Sequence, residues 1–409
     1  MAWWWVGEAG RMVWAMARSV RQYKILLDDR APWLVEFARA LARLAPVTAY
    51  TPQISALGLL KRQPNSEKQE GRLLWVRFPV QRGYFSRYGC LLPFQTERIG
   101  RWLREGASGH ELAESALICC YPHYARVAES WPGPVVYYAT DLFRCYSHWD
   151  PEHIRHLERR MCRRAELVCP NSARIAEVLM RDAGAGPERV VMVPNGVSSQ
   201  SLLPEPLLAP AALPQDVAEV KRPVAGVIGN LAANLDWVLI RRAVEATPWL
   251  SWVFVGPYSM PAGGREQHLA RSELLRRNGG QVFFTGSRPI AELKLYARSF
   301  DVAVLPYRKA EPTYSGSSTR FYEHLAATRP MAATDGFAEL LSKEPLLRIV
   351  RSPRELVAAL EDLRAQGFRD GWEEQRWRAS REATWECRAG LIAKALMGER
   401  SALLTAPGA

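Results

Sequence analysis

The chain alternates short apolar, often β-branched runs with longer segments of helical period, in two series separated by a proline-rich stretch. That alternation constrains the fold more than any single motif. In the first series Lys24-Ile-Leu-Leu-Asp-Asp29 reads as a strand, Trp33 to Leu44 as an amphipathic helix and Val47-Thr-Ala-Tyr50 as the next strand. A strand, a helix and a strand in such close succession form a βαβ unit, which sets the two strands parallel. Further strands are expected at 73–78, 115–120, 135–138, 166–169 and 190–193, with a helix over 151–164 that starts on Pro151. Residues 201–222, with Pro204, Pro206, Pro210 and Pro214, read as an extended linker. A second series follows, with strands at 224–229, 252–255, 282–284, 302–305 and 347–350 and a weaker one near 331–334. The tail from Asp370 to Leu396 is helical and tryptophan-rich (Trp372, Trp377, Trp385), a candidate clamp between domains. The expected fold is α/β: two Rossmann-like domains facing a central cleft, over 1–200 and 223–370, with residues 371–409 as the helical tail. In open parallel sheets ligands bind beyond the carboxyl ends of the strands, so chemistry is sought in the loops that follow them.

A chain of 409 residues is too long for one ordinary core, and 48% apolar against 23% charged residues can fill two. The formal charge of +12, mostly arginine, suits anionic partners such as nucleotide diphosphates or anionic lipid surfaces. No zinc knuckle, helix-turn-helix spacing or aromatic RNA-binding signature accompanies it, which argues against nucleic acid. The seven cysteines form no C-x-x-C pair, and several sit in apolar runs as small hydrophobes, consistent with a reducing cytosol. Over residues 1–22, Trp5, Val6, Ala9, Met12, Val13, Met16 and Val20 share one helical face, and Glu8, Arg11, Arg18, Arg21 and Gln22 the other. Such a basic amphipathic helix can lie on a membrane surface. The competing readings are a core-packing helix and an over-extended start before Met12 or Met16. Glu8 and Arg11 rule out a membrane span there. The basic aromatic loop Gln81–Tyr88 also suits a lipid-facing surface.

The densest chemistry lies in Thr313-Tyr-Ser-Gly-Ser-Ser-Thr-Arg-Phe-Tyr-Glu323 and the helix it opens. Ser315, Ser317 and Ser318 can cap that helix and leave its first N–H groups for a diphosphate. Arg320 offers a planar fork for phosphate oxygens, and Glu323, three residues on, faces the same side and can accept from ribose hydroxyls. Read alone, the same residues also describe a capped helix with a surface ion pair. Upstream, Gly226 and Gly229 allow close backbone approach and Asn230 can cap the following helix. Phe254-Val-Gly-Pro257, Phe284-Thr-Gly-Ser-Arg-Pro-Ile290 and Leu305-Pro-Tyr-Arg308 each place Gly, Pro or a hydroxyl where a strand ends.

This order, with Val193-Pro-Asn-Gly-Val197, Asp301-Val-Ala-Val-Leu-Pro-Tyr307, Arg320-Phe-Tyr-Glu-His-Leu-Ala326 and Ala383-Thr-Trp-Glu-Cys-Arg388, resembles the GT-B glycosyltransferases, from about Lys24 to Leu396. The resemblance implies a nucleotide-sugar donor as co-substrate in the second domain, an acceptor in the first, and a last helix that crosses back. Carried over by position, Glu323 would hold the ribose, Arg320, Ser317 and the Gly229–Asn230 turn the diphosphate, and Arg288 with Tyr307 would line the nucleotide pocket. For Arg288 and Tyr307 the alternatives are a solvated charge and a packing aromatic. Retaining members carry E-x7-E ending at the ribose glutamate, and here Ser315 stands at the first position. Val135-Val-Tyr-Tyr-Ala-Thr-Asp141 instead resembles the strand-to-Asp turn of the inverting glucuronosyltransferase of xanthan assembly, which makes Asp141 a candidate base; the alternative is an Asp that caps its turn. Asp28, Asp29 and Trp33, on the first βα loop, are acceptor candidates. No Asp-x-Asp metal motif is visible, so a metal-independent transferase is expected. It would act on a lipid-linked or polysaccharide acceptor at the cytoplasmic face of the cell membrane, held there peripherally. A nucleotide-sugar epimerase of the same architecture and a non-catalytic lectin-like or scaffold protein are the rival readings.

Overall fold

The computed structural model describes residues 20–54, 66–80, 85, 92–105 and 108–399. The amphipathic segment, except for its last three residues, and the Gln81–Tyr88 loop, except for Phe85, lie outside the described residues. The first sheet runs β3-β4-β2-β1-β5-β6-β7. Its strands are β1 (Gln22–Leu26), β2 (Val47–Ile54), β3 (Ser66–Glu70), β4 (Leu73–Val80), β5 (Ser115–Cys119), β6 (Val135–Ala139) and β7 (Leu167–Pro170). Helices α1 (Pro32–Leu44), α2 (Leu92–Arg104), α3 (Gly109–Ala113), α4 (Ala125–Glu129), α5 (Pro151–Arg164) and α6 (Ala173–Ala183) connect them. All pairings are parallel except β3 with β4. β3 was not anticipated: Ser-Glu-Lys-Gln-Glu has no apolar alternation, because an edge strand here shares no core.

The expected strand at Val190–Val193 is reduced to a single bridge, Val190 to Val168. Val191 and Val193 donate to the carbonyls of Val168 and Pro170 at 3.0 and 2.9 Å, but Pro170 has no N–H to return, so no ladder closes.

The second sheet runs β10-β9-β8-β11-β12-β13, all parallel. Its strands are β8 (Val224–Ile228), β9 (Ser251–Val255), β10 (Val282–Gly286), β11 (Val302–Leu305), β12 (Met331–Thr334) and β13 (Arg348–Val350). Helices α7 (Trp237–Ala246), α8 (Arg265–Arg276), α9 (Ile290–Ser299), α10 (Thr319–Ala327) and α11 (Pro353–Ala365) cover it, and α12 (Glu373–Glu382) and α13 (Trp385–Leu396) follow. In both sheets the chain reverses its direction of growth at the centre, between β1 and β5 and between β8 and β11. The crevices at those points are where such sheets take ligands.

Alternation along the buried strands splits each domain into two apolar layers. In the first domain Leu26, Leu117, Cys119, Val135 and Tyr137 pack toward α4, α5 and α6, while Tyr23, Ile25, Ile118, Val136 and Tyr138 pack toward α1. α13 joins the second of these layers, burying Trp385, Ala389, Ile392 and Ala395 beside α1. Trp385 sits edge-on to Phe37 of α1 at 6.5 Å. The crossing is pinned where Val197 donates to Ala383 at 2.9 Å and Trp385 donates back to Val197 at 3.0 Å. The returning helix is thus part of the first domain's core, as expected of this fold, and the helical tail is broken in two at Ala383–Thr384. Thr384 caps α13 by accepting from the Cys387 amide. Among the described residues no helix is long and apolar enough to cross a membrane.

Candidate active site

The loop after β8 and the first turn of α10 meet at the switch point of the second sheet. Gly229 has φ +135°, and a Cβ there would fall 2.7 Å from Nε of Arg320. The absence of a side chain therefore lets the guanidinium lie directly on the turn. Gly226, three residues earlier, serves a different end: a Cβ there would run into the ring of Phe300 at 1.8 Å, so it is a packing glycine inside β8. Arg320 Nη1 reaches both oxygens of Glu323 at 3.1 Å, and both side chains keep about a quarter of their surface exposed, at 24% and 22%. The (i, i+3) geometry read from the sequence is present, and Glu323 orients the guanidinium while leaving other donors of the fork for a ligand. Tyr307, after β11, is 7% exposed and set edge-on to Phe337 at 4.7 Å. Burial raises its hydroxyl pKa, while Arg320 and a hydrogen bond with Ser318 pull it back. Gly229, Tyr307, Ser318, Arg320 and Glu323 thus form one cluster.

The serines divide their work. Ser318 is the cap of α10 and accepts from the Phe321 amide at 3.3 Å. Ser317 faces the other domain: its hydroxyl accepts from the Asn195 amide at 3.1 Å and its carbonyl accepts from Asn195 Nδ2 at 2.8 Å. Ser315 is buried, donates to Glu311 at 2.7 Å, and accepts through its carbonyl from the hydroxyl of Ser172. The Pro-Asn-Gly-Val motif and Ser172, just after β7, therefore hold the segment that enters α10, and the carboxyl edge of the first sheet meets that segment there. Glu339, which no sequence signal singled out, accepts from the Ser318 amide at 2.8 Å and from the Tyr322 hydroxyl. It takes one of the first amides of the helix, so an anion there would use those of Thr319 and Arg320.

Two expected residues stand elsewhere. Asn230 is exposed and does not cap α7; that helix begins seven residues later, where Asp236 accepts from the Leu239 amide at 3.0 Å. A cap works only next to the first turn, and the loop 229–236 intervenes. Arg288 is paired with Asp216 of the linker, whose carboxylate also accepts from Tyr296 at 2.7 Å, so its charge is turned to the linker.

On the first domain, Asp141 follows β6 and is half-buried. Burial raises its pKa to about 7, moderated by a hydrogen bond from Tyr146. A carboxyl poised near neutrality at a strand's end in a cleft can take a proton from a hydroxyl. The ring of Tyr121, after β5, lies between the fields of Asp28 and Asp141, both of which push its hydroxyl pKa up beyond what burial alone does. Asp29 is paired with Arg77 at 2.9 Å, and its amide donates to Thr51 Oγ1 at 3.2 Å. Trp33 packs half-buried against the α1 layer. Asp28, Tyr121 and Asp141 thus line the switch point of the first sheet, and of these sequence reading had singled out Asp141 and Asp28. Among the described residues no three His, Cys, Asp or Glu side chains gather as metal ligands do.

Residues 32–201 match the model of Glycosyltransferase Family 4. Over 269 residues the chain is 24% identical to a Bacillus subtilis (strain 168) protein named for teichuronic acid biosynthesis as the glycosyltransferase TuaH. That alignment covers 63% of this chain and 65% of the relative, so it spans somewhat less than two thirds of the relative's length. Among solved structures, sucrose-phosphate synthase from Thermosynechococcus elongatus superposes with a TM-score of 0.67 at 15% identity, covering 93% of this chain and all (100%) of that one. Anabaena HepE in complex with UDP and glucose gives 0.57 at 15% identity, covering 94% and 99%. A glycosyltransferase from Rickettsia africae gives 0.65 at 10% identity, with the same coverage of 94% and 99%. At these identities the structural likeness is one of fold. Two facing Rossmann-like domains and a helix that returns to the first give the chain the GT-B fold, and over residues 32–201 its first domain is similar to Glycosyltransferase Family 4.

Proposed function

We propose that the chain transfers a sugar from a UDP-sugar to an acceptor hydroxyl in the synthesis of a surface polysaccharide, with inversion and without a metal. The observation that carries this is the pairing of two half-sites. Arg320 lies on the Gly229 turn at the mouth of α10, and across the cleft Asp141 is tuned to about 7. Arg320 and the helix dipole would draw off charge as the diphosphate leaves, and Asp141 would take the acceptor proton as the hydroxyl oxygen attacks the anomeric carbon. Ser315 fits an inverting reading, since its hydroxyl is committed to Glu311 and no carboxylate stands at its position. Support for UDP comes from neighbours of the same fold solved with UDP and UDP-glucose, and support for polysaccharide from the teichuronic acid relative. A lipid-linked acceptor and a peripheral place on the cytoplasmic membrane face complete the reading, supported by the +12 charge.

Calorimetric binding against UDP-, GDP-, CMP- and dTDP-sugars tests it. Micromolar binding of the UDP class, weakened about 100-fold or more in Arg320→Ala, is the expected result. Binding that ignores Arg320, or none to any nucleotide by a folded protein, overturns it.

A further inference from the structure

The loop that carries Asp141 is followed by Phe143, Tyr146, His148 and Trp149, and these meet Tyr121 and His123 from the loop after β5. Trp149 is the hub. Its ring lies 4.7 Å from His123, 4.9 Å from His148, 5.3 Å from Tyr146, 5.5 Å from Phe143 and 6.3 Å from Tyr121. Phe143 and His123 are buried beneath, whereas Tyr121, Tyr146 and Trp149 are half-buried and His148 is exposed, so the cluster has a floor and an open rim. Tyr146 reaches from that rim to the Asp141 carboxyl. The carboxyls of Asp28 and Asp141 both act on Tyr121 of the cluster. The nearby Arg144 is consumed by Glu158 and Asp182, both at 2.6 Å, and Arg30 by Asp28.

Among the described residues, an aromatic floor edged by the carboxyls of Asp28 and Asp141, with Arg30 and Arg144 already paired, is poorly matched to a phosphate. It suits a neutral ring with an apolar C–H face and hydroxyls on its edge, because the face packs on aromatic surface and the hydroxyls donate to carboxylates. The geometry points to a saccharide platform on Trp149, Tyr146 and His148 that seats a pyranose ring of the acceptor beside Asp141. This deepens the transferase reading and depends on it for the word acceptor, but not for the binding of a pyranose.

The test is saturation-transfer NMR with methyl β-D-glucopyranoside as the probe, with UDP binding followed in parallel. Ring C–H protons of the glucoside receive saturation from the wild type, and Trp149→Ala weakens its binding about tenfold. His148→Ala weakens it less. Should Trp149→Ala not fold, Trp149→Phe, which keeps a smaller ring, carries the same prediction with a loss of about threefold. No saturation in the wild type, or binding indifferent to Trp149 and His148 substitutions, overturns the platform. If glucoside binding follows the pattern but UDP does not bind, the platform stands and the transferase reading falls.

Discussion

Replacing Asp141 by Asn should make the first domain more stable at high pH and leave it unchanged at low pH. The carboxyl has an ordinary pKa of 3.8 when unfolded and about 7 in the fold. Between those values the folded state holds a proton that the unfolded chain has released, so stability falls as pH rises through the window. Below about pH 3 both states are protonated and nothing is lost; above about pH 7 the full penalty applies. The whole shift sets a ceiling of about 4 kcal/mol, and partial solvent access at a half-buried site brings it to about 2. Asn is neutral throughout, has nearly the same shape and can still accept from Tyr146. For a domain of this size about 2 kcal/mol corresponds to roughly 4–8 °C in Tm. Melting both proteins from pH 4.5 to pH 8.5, and following the transition of the first domain, should give a gap that widens from about a quarter of that amount at the acid end to the full amount at the alkaline end. A Tm difference that stays constant with pH would show that Asp141 is not held with a raised pKa, and the case for it as a base would lose its physical footing.

Gly229→Ala puts a Cβ at φ +135° and 2.7 Å from Arg320 Nε, so the turn is strained by about 1–3 kcal/mol and the guanidinium must move. Calorimetry should show donor affinity reduced about tenfold or more, with a small drop in Tm. Trp385→Ala removes a side chain buried between α13 and α1 and should cost about 3–5 kcal/mol, read by chemical denaturation as a loss in the first domain although residue 385 follows the second. Stability unchanged by that substitution would mean that α13 does not complete the first core.

Both sheets could be read from the chain because their buried strands are continuous apolar runs between helices, as in Val224–Ile228 and Ser115–Cys119. β3 could not, because an all-polar edge strand leaves no trace in hydrophobic pattern. The Arg320–Glu323 pair was legible because a helix fixes what (i, i+3) residues share. Local pattern failed where long-range pairing decides: Ser317 pairs with Asn195, and Arg288 with Asp216, in each case across distant sequence. Asn230 shows the weakness of cap assignment without a known first turn. The ring cluster at Trp149 was invisible for the same reason as the Ser317 contact, since Tyr121 and Trp149 meet only once β5 and β6 lie side by side.

The central claim is that Arg320 holds the donor and Asp141 drives transfer from the opposite domain. Proton NMR of a UDP-sugar incubated with membrane-extracted acceptor tests this most directly, with UDP release and the anomeric configuration of the product followed in wild type and Asp141→Asn. The account predicts a product of inverted configuration from the wild type, and a variant that binds donor with unchanged Kd while kcat falls by about 100- to 10,000-fold. A variant that turns over like the wild type, or a product that keeps the donor's configuration, would contradict it.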